Sequence, residues 1–207
     1  MSTSNKNFIY QFKVTLDGIS PLIWRKIQVT AKYTFWDLHV ALQDAMGWFD
    51  SHLHMFLLSK LYNTQNVEIG IWFEDNQALP GWEIPISDYF AQPGKKAVYQ
   101  YDFGDGWSHE VLLEGILIKE KGVKYPRCIS GERACPPEDC GGIPGYFRLL
   151  AILKNPDHDE HEEIVDWLKG HLINYYPYNP DRFYPEKVHF WNPQKRLKMA
   201  FSEKAEH

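Results

Sequence analysis

The sequence predicts an α+β fold. Two runs of alternating apolar and polar residues open the chain, a capped amphipathic stretch follows them, and two further helical stretches lie within residues 144–170. With 207 residues, 44% hydrophobic and 15% aromatic, the chain can bury one core, so a single domain over residues 1–207 is expected.

Residues 8–17 alternate, Gly18 to Pro21 supplies a turn, and Ile23 to Val29 alternates again, which predicts an antiparallel hairpin. Thr34 with Asp37 three residues on has N-cap spacing, and Tyr33 is placed to staple against Leu38. Phe35, Leu38, Leu42 and Ala45 then line one helical face, and Gly47 ends the helix. In the segment His52 to Leu58, strand periodicity puts His52, His54 and Phe56 on one face. The order strand, strand, helix, strand resembles the opening of β-grasp or α/β-roll domains. Residues 60–94 carry Asn-rich and Pro-Gly punctuation and read as a long surface excursion with one further short strand or helix.

Asp105-Gly106 has the composition of a two-residue turn in a central β-hairpin, and that register sets Asp102 opposite His109. At a Cβ spacing of about 4.5–5.5 Å the carboxylate can hold the imidazole in one tautomer. Pro144 suits a first helical turn, and Tyr146, Leu149, Leu150 and Leu153 repeat at helical spacing up to Asn155-Pro156. Asp157 with Glu160 reads as the capping pair of a second helix, with His161, Ile164, Val165 and Leu168 on one face and Gly170 at its end. This gives a C-terminal helix pair. Residues 171–202 are aromatic without clear periodicity and read as an extension packed on the body 8–170, with 203–207 as a disordered tail.

The apolar runs fall far short of the roughly 20 residues a membrane helix needs, so no membrane partner is expected. The first residues lack the pattern of a secretory signal, and three cysteines favour reduced thiols or metal ligands over a disulfide framework. Both observations point to the cytoplasm. The net charge of -5 gives no support to binding of nucleic acid, although Lys187, Lys195, Arg196, Lys198 and Lys204 make the last stretch locally basic.

A metal site is the sharpest chemical reading. Cys135-Pro-Pro-Glu-Asp-Cys140 has two thiols near zinc-ligand spacing on a loop stiffened by proline, with Cys128 as a third ligand. His109, oriented by Asp102, supplies the fourth ligand, with His52 or His54 as alternatives. The same residues also fit a plainer arrangement of small buried thiols beside a hydrogen-bonded Asp102/His109 pair. A hydrolytic site can draw on Asp102, Asp105, His109, Glu138 and Asp139. Asp105 equally suits a turn, and Glu138-Asp139 a cap for the following helix. His158 and His161 have chelating spacing, but their acidic neighbours read as a solvated helix start. Tyr99, Tyr101 and Phe103 alternate as strand residues facing a core.

Several motifs together resemble a family: Trp24-Arg25, His52-Leu-His54-Met-Phe56, Tyr99-x-Tyr101-Asp-Phe-Gly-Asp105-Gly-Trp107-x-His109, and the run from Cys128 through Cys135-Pro-Pro-Glu-Asp-Cys140-Gly-Gly142 to Gly145-Tyr146. Over about residues 8–170 the chain is similar to the plasmid pRiA4b ORF-3-like family. The resemblance implies an α+β roll and an association with plasmids and mobile elements; some members carry a resolvase-like label. Serine recombination needs an activated serine amid clustered arginines, a setting this sequence does not offer. The resulting expectation is a non-catalytic binding or interaction domain whose partner is a protein or small ligand. Its alternative is a metal-dependent hydrolase or nuclease built on the Asp102/His109 hairpin and the Cys128–Cys140 loop.

Overall fold

The structure is a computed structural model describing residues 7–59, 66–71 and 78–203. Strands β1 (Phe8–Leu16) and β2 (Ile23–Thr30) form the expected antiparallel hairpin, followed by helix α1 (Phe35–Met46) and strand β3 (His54–Ser59). Then come β4 (Asn66–Gly70), β5 (Leu79–Pro80), β6 (Lys96–Tyr101), β7 (Trp107–Ile118) and β8 (Arg127–Glu132). Helices α2 (Gly142–Lys154), α3 (His161–Gly170) and α4 (Pro193–Glu203) complete the chain. The strands make one eight-stranded mixed sheet in the order β5-β4-β3-β6-β7-β1-β2-β8, antiparallel throughout except where β4 meets β5. The fold is α+β, as the sequence predicts.

Helix α1 starts where the sequence places it. The Thr34 hydroxyl accepts from Asp37 N, the Asp37 carboxylate accepts from Thr34 N, and Gly47 closes the helix in the left-handed region at φ 86°. Its buried face joins Phe12, Val14, Ile23, Ile27, Phe56, Tyr99 and Val111 in the core. Each large apolar side chain withdrawn from water there contributes about 1.5–3 kcal/mol. Strand parity extends this core to polar groups. Along β7, Trp107, His109, Val111 and Leu113 alternate inward, and along β2, Ile23, Arg25 and Ile27 do the same. His109 and Arg25 are buried because of their register.

Four expectations are corrected. Residues 60–94 are more than a surface excursion: β4 and β5 extend the sheet, and Phe90, which follows a short 3-10 turn at Ile86–Asp88, packs into the core 4.8 Å from Phe12. Helix α3 begins at His161, without a cap from Asp157; instead Glu160 N donates to His158 Nδ1. The stretch 171–202, read as an extension without periodicity, contains most of α4, whose Arg196 pairs with Asp44 at 3.2 Å while Trp36 Nε1 donates to Pro193 O. The central hairpin also has a longer loop than expected, with consequences for the site described below. Of the tail expected to be disordered at 203–207, Glu203 is the last residue of α4 and 204–207 lie outside the described residues.

Candidate functional site

The loop at 102–106 sets the geometry. Tyr101 pairs with Trp107 and Tyr99 with His109, so Asp102 does not face His109 across a two-residue turn. The reason is the side chain of Asp102. Held at φ 53°, it accepts from Gly104 N and Asp105 N through Oδ1, while its carbonyl accepts from Gly106 N at 2.6 Å. The strands therefore separate at Asp102, before the Asp-Gly pair. Phe103, leaving the strand, is exposed, whereas Tyr99 and Tyr101 are core residues as expected.

Asp102 N donates to Leu53 O, which fixes the loop beside His52. His52 Nε2 lies 3.6 Å from Asp102 Oδ2 and 2.8 Å from Asp139 Oδ1. The other Asp139 oxygen, Oδ2, faces His171 Nε2 at 3.9 Å. Ligand atoms of His52, Asp102 and Asp139 all lie within 4.8 Å of one another, a spacing that suits a common cation. Asp102 and Asp139 both have positive φ, at 53° and 60°, a backbone cost that Asp tolerates better than most residues. Of the three, Asp139 also lines a cleft of about 450 Å³, together with Phe49, Ser51, Glu138, Trp167 and His171.

Asp105 and Glu138 hold this arrangement together. Asp105 Oδ2 accepts from Gly141 N at 3.1 Å, and a Cβ on Gly142 would meet Asp105 O at 2.5 Å, so the Gly141-Gly142 pair permits the hairpin loop to seat on the proline loop. Glu138 is buried. Its Oε1 accepts from the Tyr101 hydroxyl and its Oε2 from Phe49 N at 2.7 Å, while Ser51 N donates to the Tyr101 oxygen. Burial, then the Glu138 bond, push the Tyr101 hydroxyl well above its ordinary pKa. Neither Glu138 nor Asp139 caps α2, whose N-cap is Gly141.

His54 belongs to a different, buried cluster. Its ring stacks on His39 with centroids 3.4 Å apart and planes 6° from parallel. His39 Nε2 is 2.6 Å from Asp50 Oδ1 and its Nδ1 is 2.7 Å from the Tyr99 hydroxyl, which also accepts from Gln43 Nε2. Both ring nitrogens of His54 are buried without a hydrogen-bond partner. Burial holds both imidazoles well below their ordinary pKa and raises Asp50 to about 6.

His109 and the three thiols enter neither group of ligand atoms among the described residues. His109 Nδ1 donates to Tyr99 O, its Nε2 is unpartnered, and its ring meets Trp48 edge-on at 5.4 Å. Cys135 Sγ contacts Met46 Sδ at 3.2 Å, and Cys128 Sγ is 3.6 Å from Ser130 O. Burial pushes the Cys128 and Cys135 thiols up to about 11, and Cys140 up to about 12. Among the described residues, two groups have ligand atoms within 4.8 Å of one another, His52/Asp102/Asp139 and His39/Asp50/His54, and neither contains a cysteine or His109.

Sequence reasoning missed His39, Asp50 and His171. His39 and Gln43 stand one helical turn apart beside the apolar stripe of α1, a polar pair that could have signalled a buried network. His171 follows Gly170 with no local signal.

A mixed sheet crossed by one helix, with a His/Asp cluster where the central hairpin loop meets a Pro-Pro-Glu-Asp loop, defines an α+β domain carrying a rim site. The model of the plasmid pRiA4b ORF-3-like family matches residues 8–187, and the chain belongs to that family. It is 31% identical over 164 residues to the uncharacterized protein y4hQ of Sinorhizobium fredii, covering 77% of this chain and 80% of that protein. It also resembles the crystal structure of the protein of unknown function MM3350 from Methanosarcina mazei Go1. That match has 40% identity and a TM-score of 0.78, and covers 89% of this chain and 99% of the other. Among the described residues, no helix is long and apolar enough to cross a membrane.

Proposed function

We propose that this protein is a cytoplasmic cation-binding domain in which His52, Asp102 and Asp139 hold a divalent ion at the rim of the cleft, and in which a small ligand or a protein side chain completes the coordination. The observation that carries the reading is the convergence of one imidazole and two carboxylates, from three separate segments, within ligand distance of one another. A mixed nitrogen and oxygen donor set suits zinc or manganese. His171 stands beside Asp139 as a further donor or as the group that orients it. The three free cysteines support a reducing compartment.

Isothermal titration of metal-free protein with Zn²⁺ and Mn²⁺ tests the reading. The expected result is about one equivalent bound, with affinity lowered at least about tenfold in D102N and D139N, the scale on which loss of a coordinating group acts. Absence of binding, or equal affinity in the variants, rejects it.

A second reading, cation-dependent hydrolysis, draws support from solvent access: the side chains of His52 and Asp139 are 32% and 54% exposed, so water or substrate can reach a bound ion. It requires Mn²⁺-dependent turnover of a phosphodiester that D102N abolishes.

A further inference from the structure

Arg25 presents a charge problem that the rim site does not explain. Its side chain is buried at 1% exposure on β2. Its guanidinium donates from Nε to Ala45 O at 2.9 Å and from one terminal nitrogen to Trp24 O and Glu132 O at 2.8 and 3.0 Å. These acceptors are carbonyls, which satisfy hydrogen bonds without supplying a negative charge. Arg25 enters none of the ion pairs among the described residues. The neighbouring Cys135 and Cys128 thiols do not serve either, because burial keeps them protonated at neutral pH. A buried cation without a counter-ion is costly, and the cost falls when an anion joins it.

The surroundings say where that anion would come from. Arg25 lies on the wall of a second cleft, of about 870 Å³, between residues 44–49 at the end of α1 and the segment after His171. This is within the roughly 300–1,000 Å³ typical of small-molecule sites. Arg182, Lys187 and Arg196 share the wall with Arg25, against Asp44 as its carboxylate. Asp44 is already committed, pairing with Arg196 at 3.2 Å and accepting from Trp191 N at 2.8 Å. The wall is therefore strongly positive in a chain whose net charge is -5. It is also aromatic: Trp48, Tyr178, Phe183 and Trp191 face it. Phe183 lies 3.6 Å over the Arg25 guanidinium, an approach that Gly131 permits, since a Cβ there would meet the Phe183 ring at 2.5 Å.

We propose that this second cleft binds a small planar ring carrying a phosphate or carboxylate, with the anionic group neutralising Arg25, Arg182 and Lys187 and the ring stacking among the aromatic side chains. The site is separate from the rim cluster and needs no metal.

Calorimetric titrations of the full chain in buffer with EDTA, so that the cation site takes no part, use adenosine 5′-monophosphate, indole-3-acetate, adenosine and inorganic phosphate as probes. Adenosine monophosphate, indole-3-acetate or both are expected to bind at least about tenfold more tightly than adenosine and than phosphate alone, the scale of one charge-assisted contact. Competition of the preferred anionic ring by inorganic phosphate and by acetate tells phosphate from carboxylate. The double variant R182Q/K187Q, at exposed positions, should lose about tenfold for the preferred anionic ring with an unchanged circular-dichroism spectrum. R25M should abolish the preference for anionic over neutral rings, while R25K, which keeps the charge, should retain part of it. Failure of both anionic rings to bind below about millimolar, binding of adenosine equal to that of its monophosphate, or indifference of R182Q/K187Q overturns the proposal.

Discussion

The Tyr101 hydroxyl donates to the carboxylate of buried Glu138, joining the end of β6 to the Pro-Pro-Glu-Asp loop. Glu138 also accepts from Phe49 N, and Ser51 N donates to the same Tyr101 oxygen, so this pair gathers the three segments that carry His52, Asp102 and Asp139. Y101F keeps the ring in the core but leaves Glu138 without its hydroxyl donor. The expected loss is about 1–3 kcal/mol in urea unfolding, the cost of a buried acceptor deprived of its partner. An unchanged midpoint would show that the bond does not hold the loops.

The stacked imidazoles of His39 and His54 should respond oppositely to substitution. His39 is bonded at both nitrogens, so H39F takes one hydrogen-bond partner from each of Asp50 and Tyr99 and is expected to cost about 1–3 kcal/mol. His54 is unpartnered at both, so H54L removes two unsatisfied buried groups and should leave stability within about 1 kcal/mol of wild type or raise it. Equal destabilisation by the two, measured by chemical denaturation, would contradict this difference.

Burial, the largest cause, holds the His109 imidazole at about 4 against an ordinary 6.5. In the window between these values the unfolded chain binds the proton and the folded chain does not. Stability from this group is therefore complete above 6.5 and falls by about 3 kcal/mol as the pH drops toward 4. Asp50, raised to about 6 from 3.8, has the opposite slope, since its folded form takes the proton first. The informative quantity is the difference between wild type and H109Q. Wild type should lose more stability on acidification than the variant, and parallel pH profiles would contradict the assignment.

The thiols of Cys128, Cys135 and Cys140, raised by burial to about 11, 11 and 12, should be protonated and unreactive at pH 8. Alkylation by iodoacetamide is expected to be slow in the folded protein and fast after denaturation. Rapid reaction of the native protein would sink this account of their environment.

Much of the fold is legible locally. The β1/β2 hairpin shows as alternation, α1 as a capping box with a terminal glycine, and α2 as helical spacing after a proline, because in each the signal lies within a few residues of the structure it sets. The site is less legible. His52, Asp102 and Asp139 each stand in a conspicuous motif, but Asp102 reads as a strand residue opposite His109 until the hydrogen bonds from Gly104 N and Asp105 N to its own side chain are seen. A side chain that starts its own turn moves the register, and with it the partner. His171 reaches Asp139 only through tertiary packing of the residues after α3. The burial of Arg25, by contrast, follows from its parity with Ile23 and Ile27 and could have been anticipated.

The most direct test of the central claim is a zinc-soaked crystal measured at the zinc absorption edge. An anomalous peak is expected about 2.0–2.2 Å from His52 Nε2 and from one oxygen each of Asp102 and Asp139. A peak at the sulfurs of Cys135 and Cys140 with none at these three residues, or no peak at all, would contradict it.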